Sequence, residues 1–304
     1  MRVLVDEAHG THLYFSDQLP ISGMKAGADM SAVSLHKTGG SLTQSSLLLL
    51  GPAMRGDRGY VQQIINLTQT TSASYLLLSS LDITRRNLVL RGHATYQRVI
   101  DYADYARREI NQIGGYDAFG DEKSDGDAFF AFDLCKLPVH TRAMGLSGVE
   151  IYDLLRDEYD IQIEFGDLHN FLAIMSVGDR PVAIERLIAA LADIRRSFGC
   201  EPATDLVNEY IRPVVAMTPA EAFYAPSESL PLGECMGRIA SESVMCYPPG
   251  IPILAPGERV TPEVLEYIRY AKEKGSKMTG TEDPAVEKLF VLLESSGNGS
   301  CDGI

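Results

Sequence analysis

Two short apolar runs in this chain each lead to an ionisable side chain, and that pairing limits the possible folds more than any other feature. Residues 2–5, RVLV, run straight into Asp6, and the run that opens MSAVSLHK delivers Lys37. A short apolar run with a polar residue at its C-terminal end reads as a buried parallel strand. A glycine-bearing stretch joins the two, and SLTQSSLLLLG reads as a further strand closed by Gly51. Strands at 2–5 and 31–35 expect neighbouring strands and covering helices, because parallel sheets are buried on both faces.

Beyond this unit the periodicity predicts two long helices, roughly 57–81 and 84–113, the second stopped by Gly114 and Gly115. A polar, acidic stretch at 120–127, GDEKSDGD, reads as a solvated loop and a domain boundary. After it, FFAFDL alternates like a strand and SGVEIYDLLRDEY reads as a helix opened by Ser147. IQIEF and FLAIMSV read as strands, and RPVAIERLIAALADIRR sets Ile184, Leu187, Ile188, Leu191 and Ile194 on one helical face. These elements make a compact α+β unit. From about 216 the chain is rich in proline and glycine, and the prolines at 248, 249, 252 and 256 exclude a regular helix in YPPGIPILAPGE. A last helix starts at Thr261, with Pro262 in its first position and Glu263 in its first turn. The tail SSGNGSCDGI is expected to fray. The expected domains are therefore 1–120, 127–215 and 216–304, the last carrying the proline-rich YPPGIP loop.

Composition excludes several function classes. Hydrophobic residues make up 45% and charged residues 22%, the balance of a soluble globular chain. A net charge of -14 opposes non-specific binding to nucleic acid or to an anionic membrane. No apolar run approaches the roughly 18 to 20 residues of a membrane span, and Met1 leads into VLV without the look of a signal peptide. Five scattered cysteines, without a C-x-x-C pair, suit reduced thiols in a cytoplasmic protein.

Asp6 opens the word DEAH, which also occurs as the metal-binding box of helicase-type ATPases. That reading requires a G-x-x-x-x-G-K-[ST] phosphate loop, which this sequence lacks. Metal binding by His9 and His12 finds no further ligand at useful spacing, so no metal is expected. A strand-end aspartate and a strand-end lysine suit pyridoxal phosphate instead. A carboxylate keeps the pyridine nitrogen protonated, so that the ring can act as an electron sink. A lysine amine forms a Schiff base with the cofactor's aldehyde. Small residues such as Ala8 let the backbone lie close to the flat ring.

The words around these residues carry a resemblance. VDEAHGTHLYF, LPISGMKAGADMSAVSLHKTGGSLTQSSLLL, TTSASYLLLSSLD, LRDEYDIQIEFGDLHNFLAIMSVGD and YPPGIPILAPGE occur in the order seen in the ornithine/lysine/arginine decarboxylase family. The chain resembles that family over most of its length, and is most similar to its compact Gram-positive arginine decarboxylases. The resemblance implies an α/β fold: the C-terminal part of a fold type I pyridoxal phosphate domain, then a small α+β domain and a C-terminal subdomain. It implies that Asp6 pairs with the pyridine nitrogen, that Ala8 and His9 sit at the ring, with His9 a catalytic residue beside Lys37, and that Ser34 and His36 contact the phosphate. It implies that Ser72 reaches the cofactor of a neighbouring subunit in a homo-oligomer, although Ala73 stands where a proline is usual. Glu258 is the candidate for a cationic substrate tail, since a carboxylate pairs bidentately with a guanidinium. The implied reaction is α-decarboxylation of a basic amino acid, L-arginine before lysine or ornithine. An aminotransferase-like enzyme remains as an alternative. The family's phosphate-cradling turn and ring-stacking residue precede the aspartate strand, and only five residues do so here. Three expectations follow: a fragment of a longer enzyme, one half of a split enzyme whose complementing N-terminal chain supplies the phosphate loop, or a catalytically silent subunit that associates with an intact homologue.

Overall fold

The computed structural model describes residues 1–198, 211–247, 250–273 and 275–293. In chain order the first elements are β1 (Leu4–Glu7), β2 (Met30–Val33), the one-turn helix α1 (Leu35–Thr38) and β3 (Leu47–Leu50). The helices α2 (Arg58–Thr68) and α3 (Tyr75–Ile113) follow, then β4 (Asp117–Ala118) and β5 (Lys136–His140). Next come α4 (Gly148–Asp157), β6 (Phe165–Gly166), β7 (Asn170–Ile174) and α5 (Pro181–Phe198). The chain continues through α6 (Pro219–Tyr224), β8 (Ser227–Pro231), β9 (Val244–Tyr247) and β10 (Ile251–Leu254). It closes with α7 (Pro262–Glu273), β11 (Lys277–Thr279) and β12 (Lys288–Leu292). No helix among the described residues is long and apolar enough to cross a membrane.

Two compact units form, one from residues 1–139 and 172–197 and the other from 140–171 and 198–304. The division falls within β5 and β7, not at the acidic loop of 120–127. Residues 172–197 return to the first unit because α5 packs there. Tyr116 donates to Leu191 O at 3.0 Å, and Tyr105 donates to Glu185 at 2.9 Å.

In the first unit, β1 and β2 pair in parallel with Asp6 opposite Ala32, and β3 joins β2 antiparallel with Ala32 opposite Leu48. Successive side chains alternate between faces. Glu7, Ser31 and Val33 lie on the packed face and are buried. Asp6 and Ala32 lie on the other face, beside Leu4 and Leu48, which are 65% and 40% exposed. That face is open among the described residues. The core of the unit is a stripe on α3 that includes Tyr96, Val99, Ala103, Ala106 and Ile110, together with Leu137, Leu191 and Ile194.

Three expected elements differ. The break between the helices falls at 69–74, not at 82–83. Thr70 Oγ1 accepts the Ser72 amide at 3.1 Å there, a local bond that competes with the helix. Asp82 instead pairs with Arg85 along α3 at 2.6 Å, so the helix runs through. FFAFDL is not a strand. Asp125 Oδ1 accepts the amides of Asp127 and Phe129 at 2.9 Å in a turn, and Phe129 stacks on Phe132 at 6.1 Å. The Arg107 guanidinium lies over the Phe132 ring at 5.6 Å, and the strand begins only at Lys136. Within IQIEF only Phe165 enters a strand.

In the second unit Ser147 opens α4, as expected, and does so through a capping box. Its hydroxyl accepts the Glu150 amide, and the Glu150 carboxylate accepts the Ser147 amide at 2.7 Å. The proline-rich segment forms β9 and β10, paired antiparallel, with Pro248 and Pro249 outside the described residues. The core there gathers Val244, Leu254, Val264, Ile268, Leu289 and Val291. The first turn of α4 lies directly on the β6–β7 hairpin. A Cβ added at Gly148 would overlap the Asn170 carbonyl, and one at Gly166 would overlap the Gly148 carbonyl. Gly148→Ala should therefore cost at least about 2 kcal/mol, the scale of overpacking a close contact. Thermal and urea unfolding would read the loss, and an unchanged midpoint would mean that the hairpin can withdraw.

Candidate functional site

The site begins with parallel pairing. Because β1 and β2 are neighbours running the same way, their C-terminal ends bring Asp6 and the segment carrying Lys37 to one edge of one sheet. In open α/β sheets this edge is where ligands bind. Asp6 is exposed, and its Oδ1 accepts the Ala8 amide at 3.0 Å, turning the chain as it leaves the strand. Gly10 N closes that turn on Glu7 O at 2.7 Å. His9 is exposed and Ala8 half-exposed beside it.

Lys37 is exposed on α1, a turn held mainly by its neighbours. Thr11 Oγ1 donates to Ser34 O at 3.3 Å, and His36 Nδ1 lies 2.8 Å from Ser45 O. A carbonyl only accepts, so Nδ1 carries a hydrogen and Nε2 is left to face outward bonding. Ser34 occupies the cap position of α1, yet its hydroxyl does not cap the helix.

Asp6, Ala8, His9, Ser34, His36 and Lys37 thus share one sheet end. Ser72 is exposed on the link between α2 and α3 of the same unit. Glu258 belongs to the second unit, where its Oε2 accepts the Ala255 amide at 2.9 Å.

Sequence reasoning missed the group beneath this end. Glu7 is 8% exposed, and its carboxylate accepts Tyr14 Oη at 2.8 Å, Gly23 N at 2.8 Å and the Ser31 hydroxyl. Burial raises the Tyr14 pKa, and the hydrogen bond and charge of Glu7 raise it further. The signal was available: with a two-residue period, Glu7 must face away from Asp6 and into the packed side of the sheet.

A second buried group lies in the same unit. His12 is 2% exposed, with Nε2 2.7 Å from Asp133 Oδ2. Burial pushes the Asp133 carboxyl up, but the hydrogen bond and charge of His12, together with Lys136, outweigh it and leave it low. Burial and the Asp133 charge push the Cys135 thiol up to about 12, so it stays protonated and unreactive at neutral pH. Ligand atoms of His12, Asp133 and Cys135 lie within 4.8 Å of one another. The arrangement is that of a buried imidazole–carboxylate hydrogen bond beside a protonated thiol.

A parallel-paired strand couple extended by an antiparallel strand and packed on helices places the chain among mixed α/β proteins. The comparisons name the group. Residues 1–182 match the Orn/Lys/Arg decarboxylase major domain and 203–285 match the C-terminal domain, so the chain belongs to that family. It is 41% identical over 295 residues to the arginine decarboxylase of Bacillus subtilis (strain 168), which covers 96% of this chain and 60% of that protein. It is 42% identical over 296 residues to that of Bacillus anthracis, with the same coverage. The chain thus spans about 60% of the length of these curated relatives. In fold it is similar to the constitutive lysine decarboxylase of Escherichia coli, with a TM-score of 0.77 at 20% identity over 96% of this chain and 54% of that one. An alanine–glyoxylate aminotransferase from Nostoc gives a TM-score of 0.50 at 16% identity, over 64% of this chain and 54% of that one.

Glu7→Gln keeps the side chain's shape but removes a charge that three donors face. It should lower unfolding free energy by about 2 kcal/mol, the scale of hydrogen bonds to a buried ionised group. Urea denaturation gives the number, and a loss below about 0.5 kcal/mol would mean that the donors find other partners.

Proposed function

We propose that this chain supplies the lysine and the aspartate of a pyridoxal phosphate site, in an enzyme that decarboxylates a basic amino acid. The reading rests above all on the parallel pairing of β1 and β2, which sets Asp6 and the Lys37 turn at one edge, with Asp6 on the open face of the sheet. The donor set fits the group. Asp6 is a carboxylate for a protonated ring nitrogen, and Lys37 is a primary amine for the aldehyde. Ser34 brings a hydroxyl that caps no helix, and His36 a ring nitrogen turned away from Ser45. Ala8 and Ala32 flank Asp6 with small side chains that leave room for a flat ring.

When bound, pyridoxal phosphate supplies the electron sink for the pair left on Cα as CO₂ departs. The residues of this chain do the rest. Asp6 holds the proton on the ring nitrogen, because a carboxylate favours the charged form of its neighbour. Lys37 holds the group covalently through Nζ, and the exposed His9 stands at the same edge as a catalytic residue. Ser34 and His36 hold the phosphate end, with His36 contributing through Nε2. The overall reaction exchanges the carboxylate of the amino acid for a proton and releases CO₂ and the amine.

L-arginine, giving agmatine for polyamine synthesis, is the substrate best supported, since the relatives named arginine decarboxylase match over 96% of this chain. An inducible lysine decarboxylase of Escherichia coli matches over 41% of it. We assign the chain to the cytoplasm, a reading supported by the free thiols of Cys135, Cys235 and Cys246. A second copy of the chain, or a complementing chain, is the proposed cover for the apolar surface around Ser72. Leu67, Tyr75 and Leu76 are each 75% exposed or more there, and Val89 and Leu90 farther along α3 are 71% and 67% exposed.

Two experiments test this reading. Incubation with pyridoxal phosphate should give a visible absorbance band, and borohydride reduction should fix the label on Lys37 in peptide maps. Label spread evenly over the surface lysines would remove the cofactor assignment. In the active protein, Glu258→Gln should raise KM for arginine about tenfold with kcat little changed, as expected for lost ground-state pairing. An unchanged KM would leave Glu258 as the cap of its own loop and nothing more.

A further inference from the structure

Lys37 stands on a single helical turn, and one turn does not hold itself. Nucleating a helix fixes several backbone angles for one hydrogen bond, so a four-residue helix persists only where its surroundings impose it. On the N-terminal side Thr11 and Ser45 provide that support. On the C-terminal side Gly39 N closes on Leu35 O at 2.8 Å, which leaves the carbonyl of Thr38 to be met from outside the turn. Tyr96 meets it, donating its hydroxyl to Thr38 O at 2.8 Å. The side chain of Thr38 adds no anchor, since its own hydroxyl is buried without a partner.

Tyr96 is built to hold still. It is 1% exposed on α3, the long helix that carries the core of its unit. Its ring stacks on Phe15 at 5.8 Å and 24°, and meets His12 at 5.8 Å. His12 is in turn fixed on Asp133. Phe15 is itself pressed against α3 at Gly92, where even a methyl group would overlap its ring. Packing alone would be served by phenylalanine, because burying a phenol is costly unless the hydroxyl finds a partner. The partner it has is the carbonyl one residue beyond Lys37.

We propose that Tyr96 is the positioning residue for Lys37, its hydroxyl locking the turn so that the amine is presented at the edge shared with Asp6. The role rests on the reading of Lys37 as the cofactor lysine, while the tether itself can be measured without any cofactor. Tyr96 touches no reacting atom and acts only through the turn.

The test uses the full chain with Tyr96→Phe, which keeps the ring and removes the hydroxyl. Tyr116→Phe serves as a control of similar chemistry, since it loses a buried bond to Leu191 O on a different part of the unit. Hydrogen exchange without cofactor should quicken about tenfold in the peptide covering 34–40 for Tyr96→Phe, and stay unchanged there for Tyr116→Phe. Borohydride trapping with pyridoxal phosphate should then show selectivity for Lys37 over the other lysines falling several-fold in Tyr96→Phe only. Unchanged exchange at 34–40 overturns the proposal whatever the cofactor does. Faster exchange with trapping at the wild-type level overturns it as well, because the tether would then not serve the amine. If the wild-type chain itself never labels Lys37, the cofactor reading fails, and the exchange experiment still decides whether Tyr96 fixes the turn.

Discussion

The buried carboxylate of Glu7 is the interaction on which the chemistry of the sheet edge depends. A carboxylate taken out of water is strongly unfavourable unless its oxygens are met by donors. Here the donors come from three separate segments: the turn after β1 through Tyr14, the loop before β2 through Gly23, and β2 itself through Ser31. Each is therefore held to the same point below the sheet. Because strand residues alternate, fixing Glu7 downward fixes Asp6 upward, and the turn that follows, with Ala8 and His9, leaves the strand in one direction. A carboxylate that holds structure and a carboxylate available to a ligand are thus adjacent in sequence and opposite in space.

Much of this was legible because the relevant signals are local. The runs before Asp6 and Lys37 read as strands, and parallel pairing of the two put both groups at one edge. Ser147, and Ile184, Leu187, Leu191 and Ile194, announced their helices in the same way. The failures share a different cause. FFAFDL has the alternation of a strand, but Phe129 stacks on Phe132, Phe132 lies against Arg107, and the Asp125 turn takes the Phe129 amide that a strand partner would need. The break between α2 and α3 falls at 69–74 because a local Thr70–Ser72 bond interrupts the helix there, while the Asp82–Arg85 pair carries α3 through the expected break. Strand alternation would have turned Glu7 inward, but its donors Gly23 and Ser31 lie 16 and 24 residues away, and the Tyr96 partner lies 58 residues away, beyond the reach of any spacing rule.

The distribution of apolar surface has a consequence for assembly. Leu4 and Leu48 stand on the same open face as Asp6, and the outer sides of α2 and of the first half of α3 expose Leu67, Tyr75, Leu76, Val89 and Leu90. Single exposed leucines are ordinary, whereas residues gathered on one sheet face and two consecutive helices form a surface that water disfavours. The second half of α3 is different, with Tyr96, Val99, Ala103, Ala106 and Ile110 all buried. One continuous helix therefore joins a finished core to an open surface.

That division explains why the Lys37 turn is secured from below. The open face can offer little support of its own, because Leu4, Asp6, Ala32 and Leu48 all stand exposed on it. All the anchors of the turn come from the finished side: Thr11 from the segment after β1, Ser45 from the approach to β3, and Tyr96 from the buried half of α3. A functional group presented at an open surface keeps a defined position only if its backbone is tied to a rigid interior. The polar anchors then cost little entropy, since Tyr96 and His12 are already immobilised by stacking and by Asp133. The order of the exposed edge is thus set by the packed face beneath it, which leaves the open face free to be shaped by whatever binds there.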